Sequence, residues 1–264
     1  MKDCQKKTEV LSSLIPNIKE FFDKKIKCLF LDEIQNIPQW SKWLRRMYDT
    51  EDFEIVVTGS SSKLGKKEIP TELRGRSKEI RVFPLSFSEF LKFKGEDLDF
   101  SKIEYLEKKK SKILRLFDEY LLYGGMPEVV MSPVSKKIEI LQYYYESILS
   151  RDIVERYNIE NEENLKSLIR LLFNSTFYTV TKLYNTLKSL SIEIGKTTVN
   201  NYLSYVEQSY FMDSLYVFSP SMKKRMQSPR KIYFEDTGFL TALSVKFSEN
   251  FGRLFENLIY TELK

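Results

Sequence analysis

The chain's 264 residues and 31.4 kDa leave room for two or three small domains with sizeable cores, and its net charge of +5 is only mildly basic, so nucleic-acid contact must be argued from local clusters. The absence of histidine excludes imidazole triads, His metal sites and His acid–base chemistry, and Cys4 and Cys28 are too few and too differently placed for a disulfide frame or a zinc site. No apolar run approaches the ~20 residues of a membrane helix, and Met1 to Lys7 lack the apolar core of a signal peptide, so a cytoplasmic protein with no membrane partner is expected.

Residues 8 to 23 carry Val10, Leu11, Leu14, Ile15, Ile18, Phe21 and Phe22 at spacings of three and four, which predicts a helix broken or restarted near Pro16. Residues 28 to 31 form a continuous apolar run, the pattern of a strand buried on both faces of a parallel sheet. Asp32 and Glu33 then emerge at its carboxyl end, where open α/β sheets place their ligands. In that position Asp32 suits a Mg²⁺ held through its water shell, and Glu33 suits the orientation of an attacking water, the chemistry of nucleotide hydrolysis. The same pattern also describes a buried strand followed by a solvated acidic turn. An amphipathic helix is expected near Gln39 to Tyr48, and a second strand at Phe53 to Val57, ending in Thr58-Gly59-Ser60-Ser61-Ser62. Beyond Thr71-Glu72-Leu73-Arg74-Gly75-Arg76, a strand is predicted at Ile80 to Phe83. A turn at Pro84 follows, then a helix starting near Ser86, with Ser86 and Glu89 in capping-box spacing.

A phosphate-binding loop needs strand, glycine-rich turn with Lys-Ser/Thr, and helix. Only 25 residues precede Ile26, where the lead-in to the first strand begins, and none spell that loop. Gly59 to Lys67 has five residues between its glycines instead of four and ends in Lys67, and Gly195-Lys196-Thr197-Thr198 has Leu190 where the upstream glycine is required.

The polar stretch Lys92 to Lys102 separates the sheet region from helices. Helical periodicity runs from Ile103 to Leu122, a turn is expected at Tyr123 to Glu128, and a long helix at Lys136 to Tyr157, whose Tyr143-Tyr144-Tyr145 reads as core and interface packing. Helices at Asn164 to Asn174, Thr179 to Leu187 and Lys196 to Phe211 precede β-rich runs at Phe211 to Phe218 and Lys231 to Phe234, an order that looks like a winged helix-turn-helix. Thr197 or Thr198 would cap the recognition helix. Lys196, Thr198, Asn200 and Asn201 would lie at its leading end, and Lys223, Lys224 and Arg225 at the tip of the wing hairpin between residues 221 and 231. Such a module contacts DNA or another protein.

Taken in order, the LDEIQ, VTGSS, LRGR and PLSFSEF segments resemble those of archaeal and bacterial ATPases of the AAA+ superfamily that carry a C-terminal domain of the DUF4143 type. The resemblance implies a Walker B strand ending in Asp32, the Mg²⁺-side carboxylate, with Glu33 catalytic and Thr58, Ser60 and Ser61 as sensor groups. Arg74 and Arg76 would be phosphate-facing or inter-subunit arginines, or else solvated loop residues. The Gly124-Gly125-Met126-Pro127-Glu128 turn matches a segment leading into the family's lid helices, and the tail from Ile232 resembles the start of a restriction-endonuclease-like domain with Glu256 in its first helix.

The fold expected is α/β plus mostly α. A partial P-loop NTPase core (1–95) with a parallel sheet is followed by a helical lid (96–160), a winged helix (161–225) and the beginning of a nuclease-like domain (226–264). ATP and Mg²⁺ are the cofactors the resemblance implies. Without the phosphate loop, the expectation is a truncated or degenerate ATP-binding member of that family, with ATP hydrolysis expected only of the full-length family module and a homo-oligomer or a partner chain as candidate partners, or a non-catalytic DNA-binding or protein-interaction module.

Overall fold

A computed structural model describes residues 2–21, 26–34, 37–59, 75–96, 107–244 and 251–264. The chain divides into two compact units, residues 1–81 and 82–264. Among the described residues no helix is long and apolar enough to cross a membrane.

The first unit pairs two short strands in parallel, β1 (Cys28–Leu31) and β2 (Glu54–Val57), with Leu29 opposite Ile55 and Leu31 opposite Val57. Two helices, α1 (Lys2–Phe21) and α2 (Trp40–Thr50), cover one face, where Leu11, Ile15, Leu29, Ile34, Trp43, Leu44 and Met47 form the core. The parallel pairing is as expected from the sequence, but burial on both faces is not. Phe30 is 73% exposed and its register partner Val56 41% exposed, because both helices pack on the Leu29 side and the pleat sends alternate residues the other way. Pro16 also fails to break α1, which runs through it. One lost backbone bond there is outweighed by the packing of Leu11 and Ile15.

Ile80-to-Phe83, which straddles the division between the units, does not form the predicted strand: among the described residues it pairs with nothing in a sheet, and Ile80 and Val82 are exposed. Ser86 does start α3 (Phe87–Phe93) with the expected capping box, its hydroxyl accepting from Glu89 N while Glu89 accepts from Ser86 N at 2.9 Å. Two longer helices follow, α4 (Glu107–Tyr123) and α6 (Val134–Ser147), flanking the short α5 (Pro127–Met131). Helix α6 continues into a π-helical stretch, Ile148–Glu155. Of the tyrosine row, Tyr145 is buried, Tyr144 donates to Glu128 and Tyr143 faces solvent.

Three helices, α7 (Glu162–Phe173), α8 (Val180–Ser189) and α9 (Lys196–Gln208), carry buried faces on Leu165, Leu168, Ile169, Leu183, Leu187, Val199 and Leu203. They accompany an antiparallel sheet of order β3-β5-β4, in which β3 (Phe177–Tyr178) and β4 (Met212–Leu215) both pair with β5 (Arg230–Phe234). Gly195, not Thr197 or Thr198, occupies the N-cap of α9, so both threonines lie inside its first turn. The stretch expected as a wing hairpin tip is instead a helix, α10 (Met222–Gln227), capped by the Ser221 hydroxyl, which accepts from Lys224 N at 3.3 Å. Ser221 followed by Met-Lys-Lys-Arg-Met-Gln joins a good N-cap to strong helix formers, which explains the difference. The unit closes with α11 (Thr237–Leu243) and α12 (Phe251–Glu262).

Candidate functional site

Strands β1 and β2 end in register, so the residues just beyond them, Asp32 and Thr58, leave the sheet side by side. The ladder runs one bond further, Thr58 N donating to Leu31 O at 3.0 Å. The Thr58 hydroxyl then serves both neighbours: it donates to Asp32 Oδ1 and accepts from Glu33 N at 3.4 Å. Glu33 adopts φ 48°, a left-handed conformation uncommon for a residue with a side chain, so the chain turns sharply as it leaves β1. Ile34, 2% exposed, anchors the turn from the core side.

Three of the residues singled out in the sequence, Asp32, Glu33 and Thr58, are thus brought together by two hydrogen bonds at the carboxyl edge of a parallel sheet. Ser60, Ser61 and Arg74 lie outside the described residues. Arg76 is exposed in the turn that begins at Gly75. A carboxylate and a hydroxyl in this position suit a hydrated Mg²⁺, gripped through its water shell. Phosphate groups need more, a loop of backbone N–H donors with a lysine, and no stretch of this sequence spells one.

The second unit carries the residues considered for nucleic acid. Lys196, Asn200 and Asn201 are exposed on the first turns of α9, with Thr198 half-buried. Thr198 and Asn201 line an open cleft of about 410 Å³ with the stacked rings of Tyr157 and Tyr205, but Glu160 and Glu193 line it too, which disfavours phosphate there. Lys223, Lys224 and Arg225 are exposed on α10. Glu256 is engaged by Lys231 and by the Tyr233 hydroxyl at 2.8 Å, which hold its carboxyl below the usual range.

Sequence reasoning missed a polar lock that joins two glycine motifs. Asp236, 3% exposed, accepts from Gly125 N and from Gly238 N, each at 2.7 Å. Burial pushes its pKa up to about 6 against those bonds. A Cβ on Gly124 would overlap the Asp236 carboxylate, one on Gly125 the Leu85 carbonyl, and one on Gly238 the Tyr123 carbonyl. These contacts wall a cavity of about 180 Å³ that also meets Ser86, Tyr120 and Glu262. The only sequence signal was the pairing of Gly124-Gly125 with Asp236-x-Gly238.

A second missed network is built on Lys137, 1% exposed, whose amine donates to Val129 O and Val130 O and lies 3.2 Å from Glu119. Lys94 reaches the same carboxylate at 2.9 Å and donates to Val130 O at 2.7 Å. Burial alone would raise Glu119, but the hydrogen bonds from Lys94 and Lys137 outweigh it and hold the carboxyl below its ordinary value.

Residues 2–91 match a family described as an AAA domain, and residues 114–250 match one described as a domain of unknown function, DUF8612, in place of the DUF4143-type domain expected. An uncharacterized protein of Methanocaldococcus jannaschii is 38% identical over 244 residues, covering 91% of this chain and 54% of that protein. One of Haemophilus influenzae is 30% identical over 266 residues, 100% of this chain and 62% of that protein. The chain therefore spans little more than half the length of these curated relatives.

Proposed function

We propose that this chain, which belongs to the family of the domain of unknown function DUF8612 and matches an AAA domain over residues 2–91, contributes the magnesium and sensor side of an ATP-hydrolysing site. One observation carries the reading: the Thr58 hydroxyl joins the Asp32 carboxylate to the Glu33 amide at the paired exits of two parallel strands. Asp32 would hold Mg²⁺ through water, Thr58 would orient that carboxylate and sense the terminal phosphate, and Glu33 would orient the attacking water. The ion, when bound, neutralises charge on the phosphates. Ser60, Ser61, Arg74 and Arg76 remain in this reading as sensor and phosphate-facing groups, and a phosphate-binding loop supplied from outside these 264 residues completes it.

The test is Mn²⁺·ATP titration into the isolated chain, followed by NMR. Millimolar Mn²⁺·ATP should broaden the backbone signals of Asp32, Glu33 and Thr58, and Asp32→Asn should remove that effect. Turnover by the isolated chain should be absent. Broadening centred elsewhere would overturn the site, and ATP turnover sensitive to Glu33→Gln would overturn the need for an added loop.

A second reading concerns the second unit. The order of α7, β3, α8, α9, β4 and β5, with β5 central in the sheet, supports a winged helix-turn-helix, and the span from Leu215 to Lys231 holds five basic residues and no acidic one. Nucleic acid is the partner such a charge bias fits, with Lys223, Lys224 and Arg225 as phosphate contacts and Lys196, Asn200 and Asn201 at the leading end of α9. A gel shift that weakens steeply with salt tests it, and the absence of a shift at low salt removes it.

A further inference from the structure

Between β4 and β5 the chain leaves the sheet and returns over residues 216 to 229. Its base is closed by the Arg230 guanidinium, 4.4 Å above the Tyr216 ring. Beyond that clasp α10 buries no residue. The exposed surface has two components. Lys223, Lys224 and Arg225 supply consecutive positive charge. Phe218 (95% exposed), Met222 (67%) and Met226 (70%) supply apolar surface, and the two methionines share a helix face at i, i+4. A purely phosphate-binding tip has no use for three large apolar side chains held in water. A partner that pairs dense negative charge with flat apolar faces answers both components, and nucleic acid with unstacked bases has that chemistry.

Resting on the nucleic-acid reading above, we infer that the 216–229 projection binds single-stranded or locally opened nucleic acid, its cations on the phosphates and Phe218, Met222 and Met226 against exposed bases. An anionic membrane surface offers a related combination and is separated from it by experiment.

The whole chain is titrated by fluorescence anisotropy with a labelled single strand, the matching duplex, a duplex with a central unpaired bubble, and phosphatidylserine vesicles. The single strand and the bubble should bind at least about tenfold tighter than the duplex. Replacing Lys223, Lys224 and Arg225 together by Gln should lower the salt slope on single strand by about 2. Replacing Phe218, Met222 and Met226 together by Ala should leave that slope unchanged while weakening single-strand and bubble binding by about tenfold or more. Neither triple variant should shift the melting temperature, since α10 buries nothing. Equal binding of duplex and single strand, or a neutral apolar triple variant, overturns the inference and leaves the nucleic-acid reading standing. No binding of any oligonucleotide by the wild-type chain at low salt overturns both, and tighter binding of vesicles than of any oligonucleotide assigns the projection to membranes instead.

Discussion

Replacing Asp236 by asparagine tests how the glycine lock is held. In the native chain two carboxylate oxygens accept from two buried backbone donors, Gly238 N on Oδ1 and Gly125 N on Oδ2. Asparagine keeps one acceptor and turns an NH₂ group toward the other N–H, which leaves a buried donor unpaired at a cost of about 1–3 kcal/mol. Against this, the native carboxylate is penalised for its charge. Burial raises its pKa from 3.8 to about 6, so the folded chain keeps the proton to higher pH than the unfolded chain. Stability from this group is fully present below the unfolded value and is lost as pH rises through about 6. The loss amounts to about 3 kcal/mol. The asparagine variant lacks that dependence. The stability advantage of wild type over Asp236→Asn should therefore be largest near pH 4 and shrink by about 3 kcal/mol, or about 6–12 °C in melting temperature for a domain of this size, on going to pH 7.5. Thermal and urea denaturation of both proteins across that range provides the measurement. Groups common to both proteins cancel in the difference. An advantage that is flat with pH, or grows with it, would refute the buried-carboxylate account.

Glu119→Gln removes the counter-charge of the buried Lys137 and should destabilise by about 3–5 kcal/mol in urea unfolding, whereas Lys112→Gln, which breaks the surface pair with Glu96, should cost less than about 1 kcal/mol. Because the Glu119 carboxyl is held low, its contribution is present at neutral pH and fades as pH falls through that lowered value, so an acid titration of unfolding should show the Glu119→Gln deficit narrowing. Gly124→Ala and Gly95→Ala meet the same positive φ of 75°, but only the first would drive a Cβ into Asp236; calorimetry should show Gly124→Ala the more damaging by several degrees. Ser86→Ala deletes the hydroxyl half of the α3 capping box and should lower stability by about 1 kcal/mol in chemical denaturation.

The candidate ATP site was legible because its signal is local. An apolar strand ending in Asp32-Glu33 and a second ending in Thr58 are read from consecutive residues, and parallel pairing at matched ends follows from both being short apolar runs joined through a helix. The helices of the second unit were legible for the same reason, their apolar spacing being carried within each segment. The misplaced strand at Ile80 to Phe83 shows the limit: an apolar run has β-propensity whether or not a neighbour offers it hydrogen bonds, and among the described residues none does in a sheet.

Residue order alone settled the long helices with apolar spacing, where the acidic pair leaves its strand, which stretch is basic without acids, and that no phosphate loop is spelled. Tertiary structure decided what lies 18 to 111 residues away. It set the Thr58 hydroxyl between Asp32 and Glu33, sealed Asp236 over Gly125, brought Glu119 to Lys137 and left α10 with nothing to bury. The reason is physical: propensity and periodicity act between neighbours in the chain, whereas the cost of burying a charge or a backbone donor depends on which distant group the fold places beside it.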